Sequence, residues 1–272
     1  MAIITISREV AALGDEVAAA LAKKLDYRFI TRKDIEKSLV EHGFPENKLP
    51  KYDERKPGFF ASLAKDRDEY LDLLHLALLE AADQGNVVFI GRGAFALFAD
   101  VPNHISIRLV ADEKTRISRL MTEKDWNEKQ ARQRITESDA NRIGFHKSFY
   151  NVDWDDNRNY TAVLNTGILD CESAANVITT LTQSLITPET EEKGKKRLDK
   201  MLIAQRLTNQ LVFEHKVKIE FLHAVIEDNT VILQGVSDSI ATVELTTRLA
   251  AEILPDYKIQ SAISIIHDFK AY

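Results

Sequence analysis

The stretch "IITISREVAALGDEVAAALAKKL", residues 3–25, decides how the first part of the chain folds. Its opening run, Ile3-Ile4-Thr5-Ile6, has the β-branched composition of a buried strand. Further on, Val17, Leu21 and Leu25 recur at helical spacing. Strand, tight turn and helix make the local frame of a phosphate-binding loop, where backbone N–H groups and the positive end of a helix surround an anion. The turn reads Ala11-Ala12-Leu13-Gly14-Asp15, where such a loop carries glycines, a lysine and a hydroxyl. Leu13 adds a Cβ where the backbone has to approach phosphate or take a positive φ. Lys23 and Lys24 lie too deep in the helix to replace the lysine. Asp15 has the residue type of an N-cap, and with Glu16 it sets carboxylates on the donors a phosphate would use. The frame is present and its chemistry is altered.

The rest of the chain fits a globular protein of one large domain or two ordinary ones: 272 residues, 44% hydrophobic and 29% charged. A formal net charge of −6 gives no general attraction to nucleic acid. A single cysteine, Cys171, precludes an internal disulfide framework and suits a reducing compartment. No apolar run approaches the ~18 residues of a membrane span, and the first residues lack signal-peptide character, so a cytoplasmic location is expected.

Residues 1–186 alternate strand-like and helix-like segments. "NVVFIGRGA" (86–94), "HISIRLVA" (104–111) and "YTAVLNTG" (160–167) read as further strands, with helices between them. That order predicts an α/β fold, a parallel sheet with helices on both faces. The charged segment 187–196 lacks apolar periodicity and reads as a linker. Residues 197–272 then predict helix, strand, turn, strand, helix and strand, a small α+β domain. In it Val217, Ile219 and Phe221 alternate with charged residues, as in a sheet with one wet face.

Five ordered segments carry a resemblance: "ITISRE", "YDERKPGFF" (52–60), "NVVFIGRGA", "DANRIGFHKSFYNVDWDD" (139–156) and "NYTAVLNTG" (159–167). Together they resemble the cytidylate kinase-like family, relatives of the P-loop nucleoside monophosphate kinases. "TVILQGVSDS" (230–239) and the element order around it resemble a BON domain. The first resemblance implies a P-loop NTPase-type sheet and phosphoryl transfer from ATP, with Mg2+, to a nucleoside monophosphate. Such chemistry rests on positioning and positive charge. Family members usually read Gly-Ser-Gly-Gly where this chain has residues 11–14, so weak or lost activity is expected. The alternative is a non-catalytic nucleotide or anion sensor, or a scaffold, acting through residues 197–272. That module would offer a surface to a protein, a membrane or a second copy.

The expected phosphate-binding set is Arg8 and Gly14 at the loop, Gly91, Arg92 and Gly93 after a buried strand, Arg132, and Asn165. By the resemblance Arg92 faces the monophosphate, Asn165 lies near the ATP base, and Arg134 and Arg142 are the catalytic lid arginines. A family arginine before Asp139 is replaced by Ser138. Each cation has a plain counter-reading as a surface or turn residue paired with a carboxylate. Arg116 and Arg119 belong to the same cation-rich segment and rank below the others. Asp153, Asp155 and Asp156 lack the spacing of a cation loop and read better as a helix-ending turn anchored by Trp154, so no protein-built metal site is expected.

Overall fold

The computed structural model describes residues 1–52 and 65–266. Five parallel strands lie in the order β2-β3-β1-β4-β5: β1 is Ile3–Arg8, β2 Arg28–Ile30, β3 Val87–Ile90, β4 His104–Val110 and β5 Ala162–Asn165. In register, Ile4 of β1 stands between Val88 of β3 and Ile105 of β4. As the middle strand, β1 is buried on both faces, which is why it reads as a continuous β-branched run rather than an alternating one.

Alternate residues of the strands feed two cores. On one face Ile4, Ile6 and Val88 meet Val17 and Leu21 of α1 (Gly14–Leu25) and Ile178 of α8 (Cys171–Leu185). On the other, Ile3, Val87 and Phe89 meet Leu39 of α2 (Arg32–Glu41), Tyr52 of α3 (Leu49–Tyr52) and Leu74 and Leu78 of α4 (Lys65–Asp83). The short α5 (Ala94–Leu97) follows β3; α6 (Glu113–Lys124) and α7 (Glu128–Tyr150) follow β4 and pack on each other. The expected P-loop-type sheet with helices on both faces is therefore present. Of the segment "YDERKPGFF", all but Tyr52 lies outside the described residues.

The expected linker 187–196 is helical: it is the first half of α9 (Pro188–Asn209). Thr187 and Thr190 form a capping box, and Pro188 sits in the first turn where its missing N–H costs nothing. The ion pairs Glu189–Lys193 at 2.5 Å and Glu192–Lys196 at 2.6 Å support a helix without an apolar stripe. Gly194 lies so close to the buried Asn103 that a Cβ there would stand 1.8 Å from its Oδ1. Gly194→Ala should cost about 1–3 kcal/mol in chemical denaturation, by forcing these two elements apart.

Further along α9, Leu198 and Leu202 join the core on the face of Ile3 and Phe89, and Ala204 and Leu207 join a third core. That core is completed by β6 (Glu220–Glu227), β7 (Thr230–Ser237), α10 (Ile240–Ile253) and β8 (Lys258–Ile265). β6 and β7 are antiparallel, with Val225 opposite Ile232; β7 and β8 are parallel, with Leu233 opposite Ser261. The expected alternation through Phe221 fails. A register shift between Glu220 and His223 puts Phe221 at φ 53°, with its ring 60% exposed, and Leu222 takes the buried position.

Two half-buried histidines should affect acid stability. His104 shares a 2.7 Å hydrogen bond with the Thr5 hydroxyl. Burial pushes its pKa down to about 3, and that of His75 down to about 4. The unfolded rings bind protons below their usual value of 6.5 while the folded ones stay neutral, so this contribution fades as pH falls from about 6.5. Substituting both with glutamine should flatten the acid limb of a stability–pH curve between about pH 6.5 and 4.

Candidate functional site

At the carboxyl end of β1 the chain turns through residues 9–13 into α1. Ala11 and Leu13 both adopt the left-handed conformation, at φ 61° and 55°. These positions fall within the stretch where the resemblance expects glycines. Two residues other than glycine therefore hold positive φ in this turn.

The N-cap of α1 is Leu13, with no side-chain hydrogen bond at the cap. This corrects the expectation that Asp15 caps the helix and occupies the donors of a phosphate. Asp15 and Glu16 lie inside the first turn, exposed, because the left-handed Leu13 starts the helix two residues earlier than the residue types suggest. Gly14 is needed for close approach: a Cβ there would stand 2.6 Å from Cγ of Arg8, whose side chain runs across it.

Above this loop lies a cleft of about 660 Å³. The loop forms its floor, the C-terminal half of α6 and Trp126 form one wall, and Arg134 and Arg142 of α7 close it. Five cations (Arg8, Arg119, Lys124, Arg134, Arg142) face four acids (Glu9, Asp15, Glu16, Glu123). Arg142 donates to the Ser138 hydroxyl at 2.6 Å, the position where the family pattern has its further arginine.

The structure thus brings Arg8, Gly14, Arg134 and Arg142 together and leaves the other expected residues outside this cleft. Arg132 is exposed and paired with Glu113 and Glu128 at 2.6 and 2.7 Å. The Asn165 side chain accepts from the Gly167 amide at 2.8 Å, closing a local turn. Arg92 stands at the end of β3 between Gly91 and Gly93, itself left-handed at φ 58°. Its guanidinium, 4% exposed as a residue, donates to Glu36 of α2 at 3.2 Å and to the Tyr70 hydroxyl of α4 at 3.3 Å. Tyr150 donates to the Arg92 carbonyl at 3.0 Å and leaves no room at Gly93, where a Cβ would stand 2.0 Å from the tyrosine ring. With φ of 71° added, Gly93→Ala should destabilise the fold by about 2–4 kcal/mol in urea titration.

The aspartate run behaves as the turn reading expects. Trp154 is buried and its indole N–H donates to Ser7 at 2.7 Å, while Asp155 accepts from Arg108 at 2.5 Å and Asp156 caps the turn at Arg158. Among the described residues no three histidine, cysteine or carboxylate side chains converge as a metal cage.

Two arginines ranked low from sequence hold the loop. Arg116, 6% exposed, donates to the Val10 carbonyl at 2.9 Å and grips Asp139 of α7 with two bonds of 2.7 and 2.9 Å. Arg119, one turn on, donates to the Ala11 carbonyl at 2.9 Å and to the carbonyl of Thr166 at 2.6 Å. Their i, i+3 spacing showed that they share a helix face; only the packing of α6 against the loop shows which face.

A central parallel sheet with an anion-type loop between its first strand and first helix defines a P-loop-type α/β protein. Residues 3–168 match the cytidylate kinase-like family, more than half of the chain, and the chain belongs to that family. It is 26% identical to the cytidylate kinase of Methanocaldococcus jannaschii over 172 residues, covering 62% of this chain and 90% of that protein. An uncharacterized protein from Eubacterium ventriosum has the same fold, with a TM-score of 0.54 at 22% identity, covering 68% of this chain and 99% of the other.

Proposed function

We propose that residues 1–186 bind ATP in the cleft above residues 9–16 and transfer its terminal phosphoryl group to a nucleoside monophosphate only slowly. One observation carries this reading: the loop keeps the left-handed turns and uncapped helix start of a phosphate seat, yet supplies no lysine to it. Binding needs the amides and the helix end. Transfer needs positive charge placed on the moving group, and here four acids offset most of the five cations.

The volume and chemistry of the cleft fit a nucleotide. Arg8, with Gly14 beneath it, would face the phosphates, and Arg134 and Arg142 would close over them as the catalytic cations. Arg92, with Gly91 and Gly93, would serve the acceptor side; Arg132 and Asn165 have no such placement here. Mg2+ would be held chiefly by the nucleotide, with Asp15 the cleft carboxylate available to it, and when bound it would neutralise phosphate charge. A coupled assay with ATP and each common nucleoside monophosphate should give turnover at least about 100-fold below the usual kinase range of 1–100 per second. Turnover within that range would overturn the slow-transfer part of the proposal.

A second reading is a nucleotide or anion sensor, or a scaffold, acting through residues 197–272 as a BON-like module. The element order α9-β6-β7-α10-β8 supports the likeness, and the sharing of α9 between the core on the Ile3 face of the first sheet and the C-terminal core favours coupling of the two units. The module would present its surface to a protein, a membrane or a second copy, in the cytoplasm. Thermal-shift titration with ATP, CMP and inorganic phosphate, with and without Mg2+, separates the readings: stabilisation by ATP without turnover supports the sensor.

A further inference from the structure

We infer that Arg119 and Thr166 are positioning residues that hold the phosphate loop open, supplying by hydrogen bonds the shape that glycines supply elsewhere by backbone freedom. The inference rests on the nucleotide reading for its purpose, and on loop geometry for its evidence. A left-handed residue other than glycine costs about 1–2 kcal/mol, and this loop contains two of them. Something outside the loop must hold them there.

The contacts are specific. Arg119 Nη1 donates to the Ala11 carbonyl at 2.9 Å, and its Nη2 to the Thr166 carbonyl at 2.6 Å. The Thr166 hydroxyl, buried in a residue 1% exposed, lies 3.2 Å from both the Ala12 and the Val110 carbonyls and shares its one proton between them. Two successive loop carbonyls are thereby drawn toward β5 and α6. Within a planar peptide the N–H points opposite to the C=O, so fixing the Ala12 carbonyl also fixes the direction of the Leu13 amide. That amide stands at the cap of α1, where an anion would bind. Arg119 also lines the cleft, so the clasp sits at its wall.

Both parts can be tested in one set of variants. Backbone chemical shifts of the ligand-free protein should show left-handed values at Ala11 and Leu13. In Arg119→Ala the Ala11 signature should be lost and calorimetric ATP affinity should fall about tenfold or more, with the thermal midpoint within a few degrees of wild type. Arg119→Lys keeps one donor and should stay within about threefold of wild type. Thr166→Val removes only the hydroxyl, and should weaken ATP binding and shift the Leu13 amide resonance even if Arg119→Ala fails to fold. Retention of both left-handed signatures and of wild-type affinity in Arg119→Ala, or in Thr166→Val should the former not fold, would overturn the clasp. If the wild-type protein binds no ATP, the nucleotide reading falls instead, and the ligand-free shifts alone decide the clasp.

Discussion

Replacing Arg116 with leucine should lower the stability of the protein by about 3 kcal/mol or more. The guanidinium is 6% exposed and serves three partners: the Asp139 carboxylate, Glu9 at 3.5 Å and the Val10 carbonyl. Removing it leaves Asp139, 24% exposed, and Glu9, 18% exposed, as poorly solvated anions beside an orphaned carbonyl. Arg108, 3.9 Å from Glu9, compensates only in part. For a chain of this size a loss of that order lowers the thermal midpoint by about 6–12 °C. Asp139→Leu on the Arg116→Leu background should recover part of the loss, because the stranded carboxylate is gone. A loss below about 1 kcal/mol would show that the arginine is solvated rather than structural.

Asp72 gives the second large effect, and it depends on pH. It sits on α4 where α9 packs, with the Gln205 amide donating at 3.3 Å to its carbonyl and at 3.5 Å to its carboxylate. Burial pushes its pKa up to about 7, with the Gln205 bond opposing and the charges of Asp68 and Glu69 adding. Other charged groups at this junction are Glu220, which faces Asp68, and the pairs Arg206–Glu80 and Lys195–Asp83. The unfolded carboxyl ionises near 3.8 and the folded one only near 7, so the folded state loses stability as pH rises between those values. Asp72→Asn keeps the acceptor and removes the charge. It should be near neutral at about pH 4 and stabilising by about 2–4 kcal/mol at pH 8, read as the difference between two urea titrations. A gain independent of pH would place the carboxylate in solvent.

What could be read from sequence divides along physical lines. The strands of the first sheet were legible because strands buried on both faces concentrate β-branched residues, as in Ile3–Ile6 and Val87–Ile90. The start of α9 was not, since a helix held by Glu–Lys pairs and a capping box leaves no apolar period. Phe221 shows the same limit in a strand: a bulge moves a residue across the sheet without changing the local composition.

At the site, residue types pointed to the loop and Arg8, and the resemblance pointed to Arg134 and Arg142, which line the same cleft. Residue types misplaced the N-cap by two residues, because an N-cap preference carries no information that Leu13 is left-handed. The clasping role of Arg116 and Arg119 was also hidden. Arginines on a polar helix look alike until tertiary packing shows which ones meet backbone carbonyls.

The measurement closest to the central claim is a crystal structure with a non-hydrolysable ATP analogue and Mg2+. The triphosphate should lie in the cleft with its β-phosphate against the amides of residues 13–16 and Arg8 alongside. An analogue bound elsewhere, or an Asp15 carboxylate folded onto those amides with the cleft empty, would contradict it.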